Sequence, residues 1–110
     1  MDIPLQIHFI GISKRSDIEE RVRHAAQKLE KYFDRITSCR VAVEVPHRHH
    51  HQGNHYRVSV DLAVPGKTIV VSHEAHQDPA HEEAIVAIRD AFNAALRQLD
   101  EHTERLRSHA

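Results

Sequence analysis

The chain has 110 residues, with 15 Lys+Arg against 16 Asp+Glu for a formal net charge of -1, and 40% of its residues are hydrophobic. That is the composition of one ordinary globular domain over 1–110, and no apolar run approaches the roughly 20 residues that span a bilayer. The balanced total excludes a generic polycation, so an anionic partner has to meet a local excess of positive charge. Residues 14–36 provide one, with seven basic and five acidic side chains, whereas residues 79–110 hold four basic and six acidic.

The opening MDIPLQIHFI alternates apolar and polar residues, unlike a secretory signal, and Cys39 has no second cysteine for a disulfide or a paired zinc motif. Both features predict a cytoplasmic protein. Ile3, Leu5, Ile7 and Phe9 recur at every second position, the period of a strand with one buried face, and Gly11 ends the run. Ser16-Asp17-Ile18-Glu19 matches a capping box, in which a serine hydroxyl and a glutamate satisfy free amide donors at a helix start. Ile18, Val22, Ala25, Ala26, Leu29 and Phe33 then fall on one arc of a helix expected from about Asp17 to Phe33.

Cys39, Val41, Val43 and Val45 alternate with Arg40, Ala42 and Glu44 up to Pro46, which predicts a half-buried strand over 38–46. After HRHHHQGN, the series Tyr56, Val58, Val60, Leu62, Val64 predicts a third strand. Pro65-Gly66 provides turn chemistry before a fourth strand, Lys67 to Ala75. Ala84, Ile85, Ile88, Phe92, Ala95, Leu96, Leu99 and Leu106 have helical spacing and predict a long helix starting near Pro79. The order β-α-β-β-β-α gives an α+β two-layer sandwich, a four-stranded sheet with two helices packed on one face. Its α-β-β-β-α portion resembles a double-stranded-RNA-binding fold.

Charge placement on the helices points to a surface for RNA. Arg21, His24, Lys28, Lys31 and Arg35 follow steps of three and four residues, which puts all five on one predicted stripe suited to several phosphate contacts. A solvated face laced with ion pairs is the plain alternative. Arg89, Asn93 and Arg97 form a second strip with Gln98 beside it, in acidic surroundings that make ion pairing the alternative for Arg89. The chain holds twelve histidines, and His47, His49, His50, His51 and His55 crowd one predicted loop. Three uses fit them: transition-metal binding, a loop that becomes cationic as pH falls through the imidazole range, or a solvated connection. Because the spacing matches no fixed ligand set, no metal is assigned. No GxSxG, P-loop, GxGxxG or HExxH occurs, so neither an enzyme nor a small-molecule substrate or cofactor is expected.

The string Lys28-Leu29-Glu30-Lys31-Tyr32-Phe33-Asp34-Arg35-Ile36 resembles the end of the first helix in bacterial ribosome hibernation-promoting factors and the related ribosome-associated inhibitor A, the sigma-54 modulation protein family. Ala87-Ile88 and Arg97-Gln98-Leu99 are similar to that family's second pattern. The resemblance implies a stress-response protein that binds 16S rRNA of the 30S subunit and 70S ribosome, between head and body, across the mRNA path and the A and P sites. It also implies that Lys28, Lys31, Arg35 and Arg97 face RNA. The chain departs from the pattern at Glu83-Ala84-Ile85, where the family usually has Asp-Met-Tyr, at Ala94, where a lysine is usual, and in its acidic Asp-Glu-His-Thr-Glu-Arg tail. Two other classes fit part of the sequence: a histidine-rich metal-binding protein and a general double-stranded-RNA-binding module.

If the histidine loop meets RNA, binding to 30S subunits tightens as pH falls from about 7.5 to about 6, through the imidazole range. Replacing His47, His49, His50, His51 and His55 by asparagine then removes that response. An unchanged response in this variant assigns it to other groups, His24 first.

Overall fold

The computed structural model describes residues 4–45, 56–75 and 80–108. The elements are β1 (Leu5–Ile10), α1 (Ser16–Tyr32), β2 (Ser38–Glu44), β3 (Tyr56–Val64), β4 (Lys67–Ala75) and α2 (Ala80–Ser108), in the predicted order. The four strands form one sheet in the order β1-β2-β3-β4, with β1 parallel to β2 and the other neighbours antiparallel. Parallel pairing of β1 with β2 requires a crossover, and α1 provides it. The histidines of the predicted loop lie outside the described residues.

The two-residue period sets the register. Leu5, Cys39, Leu62 and Ile69 align across the sheet, followed by Ile7, Val41, Val60 and Val71, and then Phe9, Val43, Val58 and His73. The apolar members of the three rows are buried or half-buried beneath the helices. A slip of one residue in any strand would turn its whole apolar set to solvent. α1 packs on β1 while α2 lies over β3 and β4, so the helices run side by side on one face. On the opposite face Arg57 reaches Glu74 at 2.9 Å and Glu44 at 3.4 Å, an ion-pair row across three strands. Gly66 closes the β3–β4 turn at φ 82°, a left-handed value that side chains with a Cβ rarely adopt.

Three details differ from the sequence expectation. Arg15, not Ser16, is the N-cap of α1, and no side chain caps it. Glu19 instead donates its backbone N–H to the Arg15 carbonyl at 3.0 Å, while its carboxylate takes Arg23 at 3.1 Å and Lys14 at 3.6 Å, so no capping box forms. At the other end Phe33 is extended (φ -142°, ψ 113°) and packs against the core, which stops α1 before Arg35. Leu106, expected on the apolar face of the long helix, is 53% exposed. Its α2 turn lies beyond His102, which is buried with its Nε2 3.3 Å from the Pro65 carbonyl. A carbonyl only accepts, so Nε2 carries the proton in that contact.

Burial pushes the Cys39 thiol up to about 12, with the nearby Asp61 charge adding to the effect. A thiol held neutral in the core is a poor nucleophile, so the folded protein resists disulfide-forming reagents at pH 8 and reacts fully once unfolded in denaturant. The unfolded chain begins to lose this proton near about pH 8.5, well before the folded one. The Cys39 contribution to stability therefore falls as pH rises from there toward 12, and Cys39→Ala lacks that part of the alkaline loss in denaturant melts.

Candidate functional site

Where α1 and α2 lie side by side they leave an open groove of about 450 Å³. Arg21, His24 and Lys28 line it from α1, and Arg89 and Asn93 line it from α2. Between these polar walls lies an apolar floor of Ala25, Leu29, Ile85, Ile88, Phe92 and Leu96. No carboxylate lines the groove. Two segments far apart in sequence thus place cations on one feature, which is what an anionic ligand requires.

Seven residues were expected to form the site, and the groove gathers four of them, Arg21, His24, Lys28 and Arg89. Lys31, Arg35 and Arg97 are exposed but do not line it. Helix geometry explains two of these. A step of three residues rotates a side chain by about -60° and a step of four by about +40°, so Lys31 has turned about 80° from Arg21, and Arg97 about 80° from Arg89. Arg35 leaves the stripe because α1 has already ended at Tyr32. All three stay exposed to solvent.

Many of these cations are unneutralised. Among the described residues, Arg21, Lys28, Lys31, Arg35 and Arg97 have no ion pair, whereas Lys14, Arg15, Arg23, Arg57 and Arg107 do. Arg89 contacts Asp90 at 3.3 Å, and Asp90 also takes His73 at 3.2 Å. The pairing expected for Arg89 is thus present, but it is an exposed contact with an adjacent residue, which constrains the guanidinium weakly. Among the described residues no three His, Cys, Asp or Glu side chains group to hold a metal ion, and no helix is long and apolar enough to cross a membrane.

Sequence reasoning did not single out Tyr32. It ends α1, lines the groove, is 55% exposed, and donates its hydroxyl to Asp100 of α2 at 2.6 Å. The partners are 68 positions apart, so nothing local announces the contact. A large, exposed aromatic at the end of a cationic stripe was the available signal.

A family model described as sigma 54 modulation protein / S30EA ribosomal protein matches residues 5–107. The fold is similar to that of a ribosomal subunit interface protein from Coxiella burnetii (TM-score 0.75, 13% identity, covering 93% of this chain and 99% of that one). It is also similar to the Thermus thermophilus Protein Y N-terminal domain (TM-score 0.60, 16% identity, covering 88% of this chain and 98% of that one). No curated protein matches the chain.

The hydrogen bond to Asp100, reinforced by that carboxylate's charge, raises the Tyr32 phenol above its ordinary value of 10. Tyr32 therefore keeps its proton past pH 10, and the contribution of this contact is lost as pH rises through the raised value. In Asp100→Ala the Tyr32 ionisation moves back down, as read from the ring carbon of labelled tyrosine by NMR. An unmoved titration would show that Asp100 does not hold the phenol in solution.

Proposed function

Because this chain belongs to the sigma 54 modulation protein / S30EA ribosomal protein family, we propose that it is a translation inhibitor that occupies 16S rRNA of the small ribosomal subunit. It binds 30S and 70S particles across the mRNA channel and the A and P sites under stress. Inhibition is by occupancy, so no bond is made or broken and no cofactor is needed. A ribosomal partner also places the protein in the cytoplasm. The observation that carries this reading is the outer face of the paired helices. Unpaired Arg21 and Lys28 stand there opposite Arg89 with no carboxylate among the groove's lining residues, and Lys31, Arg35 and Arg97 are exposed outside the groove.

Such a surface suits the RNA backbone. Lysine and arginine side chains release condensed counterions when they neutralise phosphates, and this term supplies most sequence-independent affinity. The net charge of -1 is no obstacle, since the paired cations and carboxylates elsewhere cancel locally. The names of the two similar proteins, a ribosomal subunit interface protein and Protein Y, accord with a ribosomal partner.

The protein should cosediment with 30S and 70S particles at about 50 mM salt and be released progressively toward about 200 mM, with log affinity falling by about 0.7–0.9 per phosphate neutralised for each tenfold rise in salt. Reversing Lys28, Lys31 and Arg35 to glutamate should abolish association without unfolding the chain, because changes at exposed sites usually cost within about 0.5 kcal/mol each. Reversal of Arg23, which is already paired with Glu19, should have a much smaller effect. Equal loss from Arg23→Glu, or binding indifferent to salt, would remove this face from the account. Complete release of the protein from ribosomes by plain RNA duplex would mark a general duplex binder.

A further inference from the structure

The groove has a feature that phosphate binding does not require. Exposed cations suffice to meet a backbone, yet here the cations border an apolar floor on which Ala25, Ile85 and Leu96 stay half-exposed above buried Leu29, Ile88 and Phe92. Tyr32 closes one end with an accessible ring, and its hydroxyl is tied to Asp100. The volume of about 450 Å³ falls in the ~300–1,000 Å³ range of sites for single organic molecules. An occupant has to be flat or apolar at its centre and anionic on both sides.

We propose that the groove receives one unstacked nucleotide of RNA, its base on the apolar floor against the Tyr32 ring. The flanking phosphates lie between Arg21 and Lys28 on one wall and Arg89 on the other. Asn93 offers both an amide donor and an acceptor to the base edge. Charge complementarity selects this occupant: a nucleobase is a neutral π-face carried between two negative charges, and the groove is an apolar strip with Arg21 and Lys28 on one side and Arg89 on the other. Proteins that bind unpaired RNA use aromatic rings in this way. The inference rests on the proposed docking to 16S RNA and names the element of that RNA which the groove takes.

The test fills the floor without changing charge. Ala25→Leu and Leu96→Phe do so from opposite helices, and thermal melts identify any variant that fails to fold. Each folded variant should bind purified 30S subunits roughly ten- to a hundredfold more weakly than wild type, with a salt dependence close to wild type, because the phosphate contacts remain. Base-specific chemical probing of 16S RNA saturated with wild-type protein should show one unpaired base shielded, and its reactivity should return when the subunits are saturated with a filled variant. Three results would overturn the proposal: no base shielded by the wild type, filled variants that bind as tightly as wild type, or weaker binding with base reactivities unchanged, which would put a ribosomal protein segment in the groove. In each of these the wild type still binds, so the proposed function survives. If wild type fails to bind 30S at all, both fall together.

Discussion

One apolar face on a four-stranded sheet governs the rest of this molecule. Strands about 4.8 Å apart put the outer pair roughly 14 Å from each other, wider than the ~10 Å cylinder of a single helix. Burying the rows that run from Leu5 to Ile69 and from Ile7 to Val71 therefore takes two helices side by side. Two parallel cylinders leave a furrow on their outer surface, and the side chains next to the seam become its walls. The groove is thus a by-product of core burial, and the residues around it determine what it can hold.

The furrow also gives the charge distribution a direction. On the open side of the sheet, Arg57 is held between Glu44 and Glu74, so positive and negative charges cancel within a few ångströms. On the N-terminal flank of α1, Lys14, Arg15 and Arg23 are tied to Asp17 and Glu19. Among the described residues, Arg21, Lys28, Lys31 and Arg97 on the helices have no ion pair, while Arg40 and Lys67 on the sheet are likewise unpaired. A chain of nearly zero net charge can then present a polarised face, because exposed charges are screened beyond about 8–10 Å and each side of the molecule acts almost independently.

The strands and the facing of the helices were legible because periodicity is local: a period of two or of 3.6 is set by each segment's own backbone. The element order followed, and with it the sandwich. The ends of α1 were less legible. Ser16 has the chemistry of a cap, but the first backbone bond runs from Glu19 to Arg15 and shifts the start by one residue. Arg35 continues the spacing of the cationic stripe past a helix end set by Phe33 turning into the core. The groove could be read only in halves. Lys28 and Arg89 each belonged to a visible strip, but facing across a furrow depends on how two helices are rotated against each other, which neither segment encodes alone. Tyr32 and Asp100 meet for the same tertiary reason.

His102 is the last buried anchor of α2, and the turn carrying Leu106 continues beyond it without core contact. Modest helpers of that terminal segment include the Glu104–Arg107 pair at 3.5 Å and basic residues near the negative end of the helix dipole. The end of α2 therefore frays at a lower free energy than global unfolding requires. A partner that grips only this spur would bear the cost of ordering about a turn and a half of helix. Because the spur grows out of α2, such a partner binds only the folded chain and raises its melting temperature as well.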